Sequence, residues 1–210
     1  MASSDPVFHT HPMSRGRIVR WMLEELGIEY TTVVQGYGTS MKSPEYLAIN
    51  PMGKVPALEH RGGVITEAAA SCAYLADAFP QAGLAPAADD PLRGPYLRWM
   101  FFAAGPVEAA VTANSLGLLP PAEKAGFVGY GSYDQTMDAL EQAAASASPW
   151  LLGDRFSAAD VYVGSQVDFG LAFKSIPERP AFTAWAERLR AREGYQRAKA
   201  LDDALMPQTG

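Results

Sequence analysis

Cysteine is almost absent. Cys72 is the single one among 210 residues, so no internal disulfide can form, no Cys-x-x-Cys redox pair exists and no cysteine-rich metal site is available. Histidine is scarce as well, at three, too few to suggest a metalloenzyme. Positive charge is in deficit: Lys+Arg 17 against Asp+Glu 23 leaves a formal charge of −6, with no electrostatic reason to expect a phosphate backbone as ligand. Apolar runs are broken by charge, Gly or Pro before the roughly 18–20 residues that span a bilayer. The first ten residues also lack the basic-then-apolar order of a secretion signal. The expectation is a cytoplasmic protein with neither nucleic acid nor membrane as partner. No Gly-x-Ser-x-Gly elbow accompanies Ser14, and no acid is evident to orient His9 or His11, so a hydrolase triad is not expected.

What is present is enough apolar residue, 48%, for a sizeable core. Pro6 to Thr10 reads as a short strand. From Ser14 the apolar positions Ile18, Met22, Leu23 and Leu26 follow helical spacing, closed by Gly27. Glu29 to Val34, rich in Tyr, Thr and Val, predicts a second strand, parallel to the first because a helix separates them. A Gly- and Pro-rich stretch over 35–53 holds one helical turn near Glu45 to Leu47. Val55 to Glu59 and Gly63 to Thr66 then form a hairpin about His60-Arg61-Gly62. Thr66 is expected to cap a helix that buries Ala69, Cys72, Leu75 and Phe79, with Cys72 a buried structural thiol.

Residues 1–82 therefore predict an α/β domain and residues 83–95 a Pro-, Ala- and Gly-rich linker. Residues 96–210 predict an all-helical domain, with helices at Tyr96 to Asn114, Phe127 to Ser146, Ser157 to Phe173, and Arg179 to about Leu205 interrupted near Gly194. Phe156-Ser157-Ala158-Ala159-Asp160-Val161 is a helix start in which Asp160 reaches back to the Ser157 amide.

The chemistry concentrates in Asn50-Pro51-Met52-Gly53-Lys54-Val55-Pro56-Ala57-Leu58 and Ile65-Thr66-Glu67-Ala68. A proline at a strand start fits an edge strand or a cis Val55-Pro56 peptide. Such a turn offers the Val55 N–H and C=O to an extended peptide as an added strand. Glu67 at a helix start suits a ligand ammonium, and the adjacent amides suit a carboxylate.

These segments, after an opening β-α-β, resemble the cytosolic glutathione transferase family, and the resemblance extends over the whole chain through the Gly-Asp-Arg-Phe-Ser-Ala-Ala-Asp segment. It implies a thioredoxin-like N-terminal domain with a cis Val55-Pro56 peptide that pairs with the cysteinyl part of glutathione. It also implies Glu67 and Ala68 on the γ-glutamyl group, glutathione as co-substrate with no metal, and a homodimer. Ala68 departs from the family's usual Ser or Thr, which removes one hydroxyl bond to the γ-glutamyl carboxylate. Lys42 and Lys54 are candidates for the glycyl carboxylate, or plain surface lysines. Glutathione chemistry requires a thiolate, and the loop between the first strand and helix is where the family places the activating residue. Ser14 is the candidate for that role, the alternative being a helix cap. Met13, Trp99, Phe102 and Glu108 are candidates for the pocket of a small hydrophobic electrophile, although Trp99 and Phe102 also fit core packing. The expected activity is a detoxifying glutathione S-transferase. The rivals are a glutathione-dependent reductase, peroxidase or isomerase, and a non-catalytic binding module.

Overall fold

The computed structural model describes residues 5–206. Residues 1–4 and 207–210, the ends of the two expected domains, lie outside the described residues. The chain forms two compact units, one of residues up to 82 together with those from 192 onward, the other of residues 83–191.

In the first unit, β1 (Val7–Thr10) leads into α1 (Gly16–Leu26) and β2 (Thr31–Val34). Next come a short 3-10 turn (Ser40–Lys42), α2 (Pro44–Ile49), β3 (Ala57–His60), β4 (Gly63–Thr66) and α3 (Ala68–Ala78). The sheet order is β2-β1-β3-β4, with β1 parallel to β2 and antiparallel to β3, and β3 antiparallel to β4. Together with the helices this is the expected α/β layering. Gly27 adopts φ 62 and its N–H bonds the Leu23 carbonyl, so it terminates α1 as the spacing predicts. Ile18, Val19, Met22 and Leu23 of α1 are buried with Phe8, Leu58, Cys72 and Leu75, and each such aliphatic side chain contributes about 1.5–3 kcal/mol. At Gly16 a Cβ would overlap Thr10 Oγ1, so glycine lets the start of α1 approach the end of β1.

One local expectation is corrected. Thr66 ends β4, and the capping position of α3 is Glu67. The helix accordingly buries Ala68, Ser71, Cys72, Leu75 and Ala76, while Ala69 and Phe79 are half-buried. The interruption expected near Gly194 is present. The break falls at Ala191 and Arg192, between α8 (Pro180–Arg190) and α9 (Glu193–Ala204), and Gly194 lies inside α9, where a Cβ would meet the Glu25 carboxyl carbon at 2.7 Å.

That close approach belongs to a charged seam between α1 and α9. Arg192 donates two hydrogen bonds to Glu25, at 2.8 and 2.7 Å. Arg20 Nε donates to Asp202 Oδ1 at 2.7 Å with both side chains buried. Arg197 reaches Glu24, Arg17 reaches Asp203, and the Trp21 and Tyr195 rings meet edge to face. Residues 192–206, expected in the helical domain, group with the first unit for this reason. Removing one partner of a buried ion pair costs about 3–5 kcal/mol because it leaves the other charge uncompensated, so loss of either Arg20 or Asp202 is expected to loosen the last helix.

In the second unit, α4 (Arg93–Phe102), a π-helical turn (Ala103–Val107) and α5 (Glu108–Ser115) form the expected first long helix, starting three residues early. The π turn contains Pro106, which has no N–H for the helical ladder. Next, α6 (Tyr133–Ser146) begins six residues later than expected. Gly131 at φ 66 and the Ser132 cap, which accepts from the Gln135 N–H, set its start. The central helix α7 (Ala158–Ala172) is buried almost all round. At its start Asp160 accepts from the Ser157 N–H at 3.0 Å and from the Leu151 N–H at 2.8 Å, so this buried acid organises backbone.

Candidate functional site

The register of the sheet defines where a site can form. Thr10 pairs with Val34, His9 with Ala57, and Ala57 with Thr66. The ends of β1, β2 and β4 and the start of β3 therefore lie along one edge of the sheet. The segments 11–15, 35–43, 50–56 and Glu67 all leave or enter from that edge.

The segment 50–56 is built on side chains that hold its backbone. Asn50 accepts from the Met52 N–H at 3.1 Å and donates to the Lys54 carbonyl at 2.7 Å. The Tyr46 hydroxyl donates to the same carbonyl at 2.6 Å, and burial pushes that hydroxyl up to about 12, so it stays a donor. Gly53 has φ 57, and a Cβ there would meet Lys42 Nζ at 2.8 Å and the Met41 carbonyl at 2.9 Å. Only glycine satisfies both the conformation and the space. Lys42 lies over it, donating to the Gly53 and Met52 carbonyls at 2.9 and 3.3 Å. The Val55-Pro56 peptide is cis. Among the described residues the Val55 N–H and C=O have no backbone partner, since the pairing of β3 with β1 begins at Ala57.

Glu67 is exposed at φ 66 and ψ 124, makes no side-chain cap bond, and accepts the Ser71 N–H on its carbonyl. A non-glycine residue held there costs about 1–3 kcal/mol, a kind of strain that concentrates at ligand sites. Behind it the first-turn amides of α3, beginning at Ala68, have no intrahelical acceptors. Lys54 is exposed.

The segment 11–15 is closed on itself. Ser14 Oγ donates to the His11 carbonyl at 2.7 Å and accepts from the Gly16 N–H at 2.9 Å. Arg17 Nε donates to the Pro12 carbonyl, and the Tyr37 hydroxyl donates to the Met13 carbonyl at 3.0 Å. The Met13 N–H donates to His11 Nδ1 at 3.1 Å, and the His11 ring packs on Tyr37 at 4.3 Å between centroids. Ser14 thus has the bonds of a residue that fastens the start of α1, and its proton is engaged. The exposed Met13 side chain lies on the same segment.

His9 has the acid partner that the sequence does not reveal. Its Nε2 bonds Glu59 at 2.8 Å and its Nδ1 bonds Gln35 at 3.1 Å. The ring is buried beside Tyr46, so both nitrogens serve the architecture. Of the pocket candidates in the helical unit, Trp99 is buried and meets Phe102 edge to face at 5.7 Å, which is core packing. Glu108 accepts from Gln166 Nε2 at 2.8 Å and so ties α5 to α7. Sequence reasoning missed Tyr46 and Tyr37, whose hydroxyls brace this edge from 8 and 24 residues away; nothing in their own neighbourhoods signals it. Among the described residues, no group of three or more His, Cys, Asp or Glu could hold a metal ion.

Models of the glutathione S-transferase N-terminal domain and C-terminal domain match residues 13–78 and 132–193. A maleylacetoacetate isomerase from Pseudomonas aeruginosa is 31% identical over 172 residues, which is 76% of this chain and 80% of that protein. The chain belongs to the glutathione S-transferase family. A solved glutathione transferase from Methylococcus capsulatus is 27% identical with a TM-score of 0.78, covering 95% of this chain and 99% of its own. The theta class family member from Xanthomonas axonopodis pv. citri, solved with glutathione bound, is 28% identical with a TM-score of 0.72 over 93% and 97% of the two chains. The matches to two other curated relatives span only 30% and 32% of those proteins' length. The fold is that family's: a thioredoxin-like N-terminal domain and a helical C-terminal domain. No helix among the described residues is long and apolar enough to cross a membrane.

Proposed function

We propose that this protein binds glutathione at the sheet edge and directs its thiolate at a small hydrophobic electrophile, as a cytoplasmic, homodimeric glutathione S-transferase. The observation that carries the reading is the open backbone of Val55, flanked by a strained acidic residue at a helix start. A tripeptide lying antiparallel to Val55 receives two main-chain bonds there. Its α-ammonium falls to Glu67, and its α-carboxylate to the Ala68 amide and the helix dipole. Lys54 neutralises the glycyl carboxylate. Lys42 contributes mainly by holding the Met52 and Gly53 carbonyls in place. The cysteinyl sulfur is then carried toward the 11–15 segment, where thiolate must be stabilised. The exposed Met13 side chain on that segment serves the electrophile. Glutathione is the co-substrate, and the step needs no metal.

The similarity to a maleylacetoacetate isomerase favours a second reading, in which glutathione adds to an unsaturated acid and leaves again after bond rotation. The two are separated by turnover of a model aryl halide against a cis-unsaturated dicarboxylic acid. Conjugate formation from the halide supports transfer. Geometric isomerisation with glutathione recovered supports the second reading.

A further inference from the structure

Resting on the glutathione reading, we infer that the donor stabilising the bound thiolate is the imidazole of His11, and that Ser14 is a fastener of the loop. Three observations carry this. First, the Ser14 proton is already given to the His11 carbonyl, and its oxygen takes the Gly16 N–H. Donating to a sulfur would break the bond that closes the start of α1. Second, the Met13 N–H donates to His11 Nδ1, which makes Nδ1 an acceptor and leaves the ring's proton on Nε2. The Tyr37 ring packs against the imidazole, tilted by 53° at 4.3 Å between centroids, and Nε2 has no protein partner among the described residues. Third, the pairing of β1 with β3 ends at His9 and Ala57, so His11 and Val55 each lie two residues beyond the last paired positions, at the same end of the sheet. A ligand whose central residue pairs with Val55 brings its side chain to this neighbourhood.

The step is simple in balance. The thiol S–H breaks, its proton goes to bulk water, and the sulfur keeps the electron pair. His11 Nε2–H donates a hydrogen bond to the thiolate without transferring its own proton. The charged and titratable groups around the loop are Tyr37, which is bonded to the Met13 carbonyl, Arg17, which is bonded to Pro12 and Asp203, and the exposed Arg15.

The test uses the full chain and three variants, following thiolate absorbance of bound glutathione against pH, with calorimetry of glutathione binding alongside. His11→Asn keeps an acceptor where Nδ1 stands and removes the Nε2–H. His11→Gln keeps a donor near Nε2 and removes the acceptor. The inference expects His11→Asn to bind glutathione but to raise the apparent thiol pKa by about one unit, roughly tenfold less thiolate near neutrality. His11→Gln should titrate within a few tenths of a unit of wild type. Ser14→Ala should leave the titration in place and lower the thermal midpoint. A His11→Asn titration that matches wild type, its failure to bind glutathione, or a shift confined to Ser14→Ala overturns the His11 assignment alone. Absence of saturable glutathione binding by the wild-type protein overturns both it and the glutathione reading.

Discussion

Segments 11–15 and 50–56 leave the same edge of the sheet, and they differ in what they leave open. In the first, the carbonyls of His11, Pro12 and Met13 are each taken by a side chain of the same unit. In the second, side chains take the carbonyls of Met52, Gly53 and Lys54 but stop short of Val55. The first segment can present only side chains, whereas the second presents backbone. In the proposed reading, the backbone of the second segment recognises an extended peptide, and the side chains of the first act on the atom brought near them.

The largest way to break the contrast is at Gly53. Gly53→Ala forces a Cβ against Lys42 and the Met41 carbonyl at a left-handed φ. We expect a loss of about 2–4 kcal/mol in stability, read by denaturant unfolding, and loss of glutathione binding in whatever remains folded. Next is Glu67→Gln, which keeps the shape and removes the charge that we propose faces the ligand ammonium. The expected loss in glutathione affinity is about 1.5–3 kcal/mol, or about ten- to a hundredfold, measured by calorimetry with the thermal midpoint nearly unchanged. The smallest effect sharpens the open side. Ala68→Ser restores a hydroxyl beside the α3 amides and is expected to tighten glutathione several-fold, about 0.5–1.5 kcal/mol. Unaltered affinity would mean that the Ala68 amide alone already satisfies the carboxylate.

Much of the open segment was legible in the sequence, because its logic is local. Asn50, Gly53 and Pro56 each demand a specific backbone conformation within a few residues, and the Glu67 helix start follows directly on a strand. The closed segment was less legible. Ser14 before a helix reads equally as donor or cap, and the choice depends on the His11 carbonyl and the Tyr37 hydroxyl folding onto it. The Thr66 cap failed because the residue that turns the chain there, Glu67, adopts a left-handed φ that sequence patterns assign to glycine. Longest in range was the seam of α1 with α9. Arg20 and Asp202 are 182 positions apart, and the periodicity of either helix says nothing about its partner, so the last helix was assigned to its sequence neighbours. The π turn at Pro106 was hidden for a different reason: a continuous apolar pattern persists through it while the hydrogen-bond ladder shifts.

The central claim is that the open backbone at Val55, with Glu67 beside it, holds glutathione. Calorimetric titration of the full-length protein with glutathione and with its des-amino analogue, which lacks the γ-glutamyl ammonium, addresses it most directly. The account predicts saturable one-site binding of glutathione at millimolar concentration or tighter, weakened about tenfold or more in the analogue. Equal binding of the two ligands, or no saturable binding of glutathione, would contradict it.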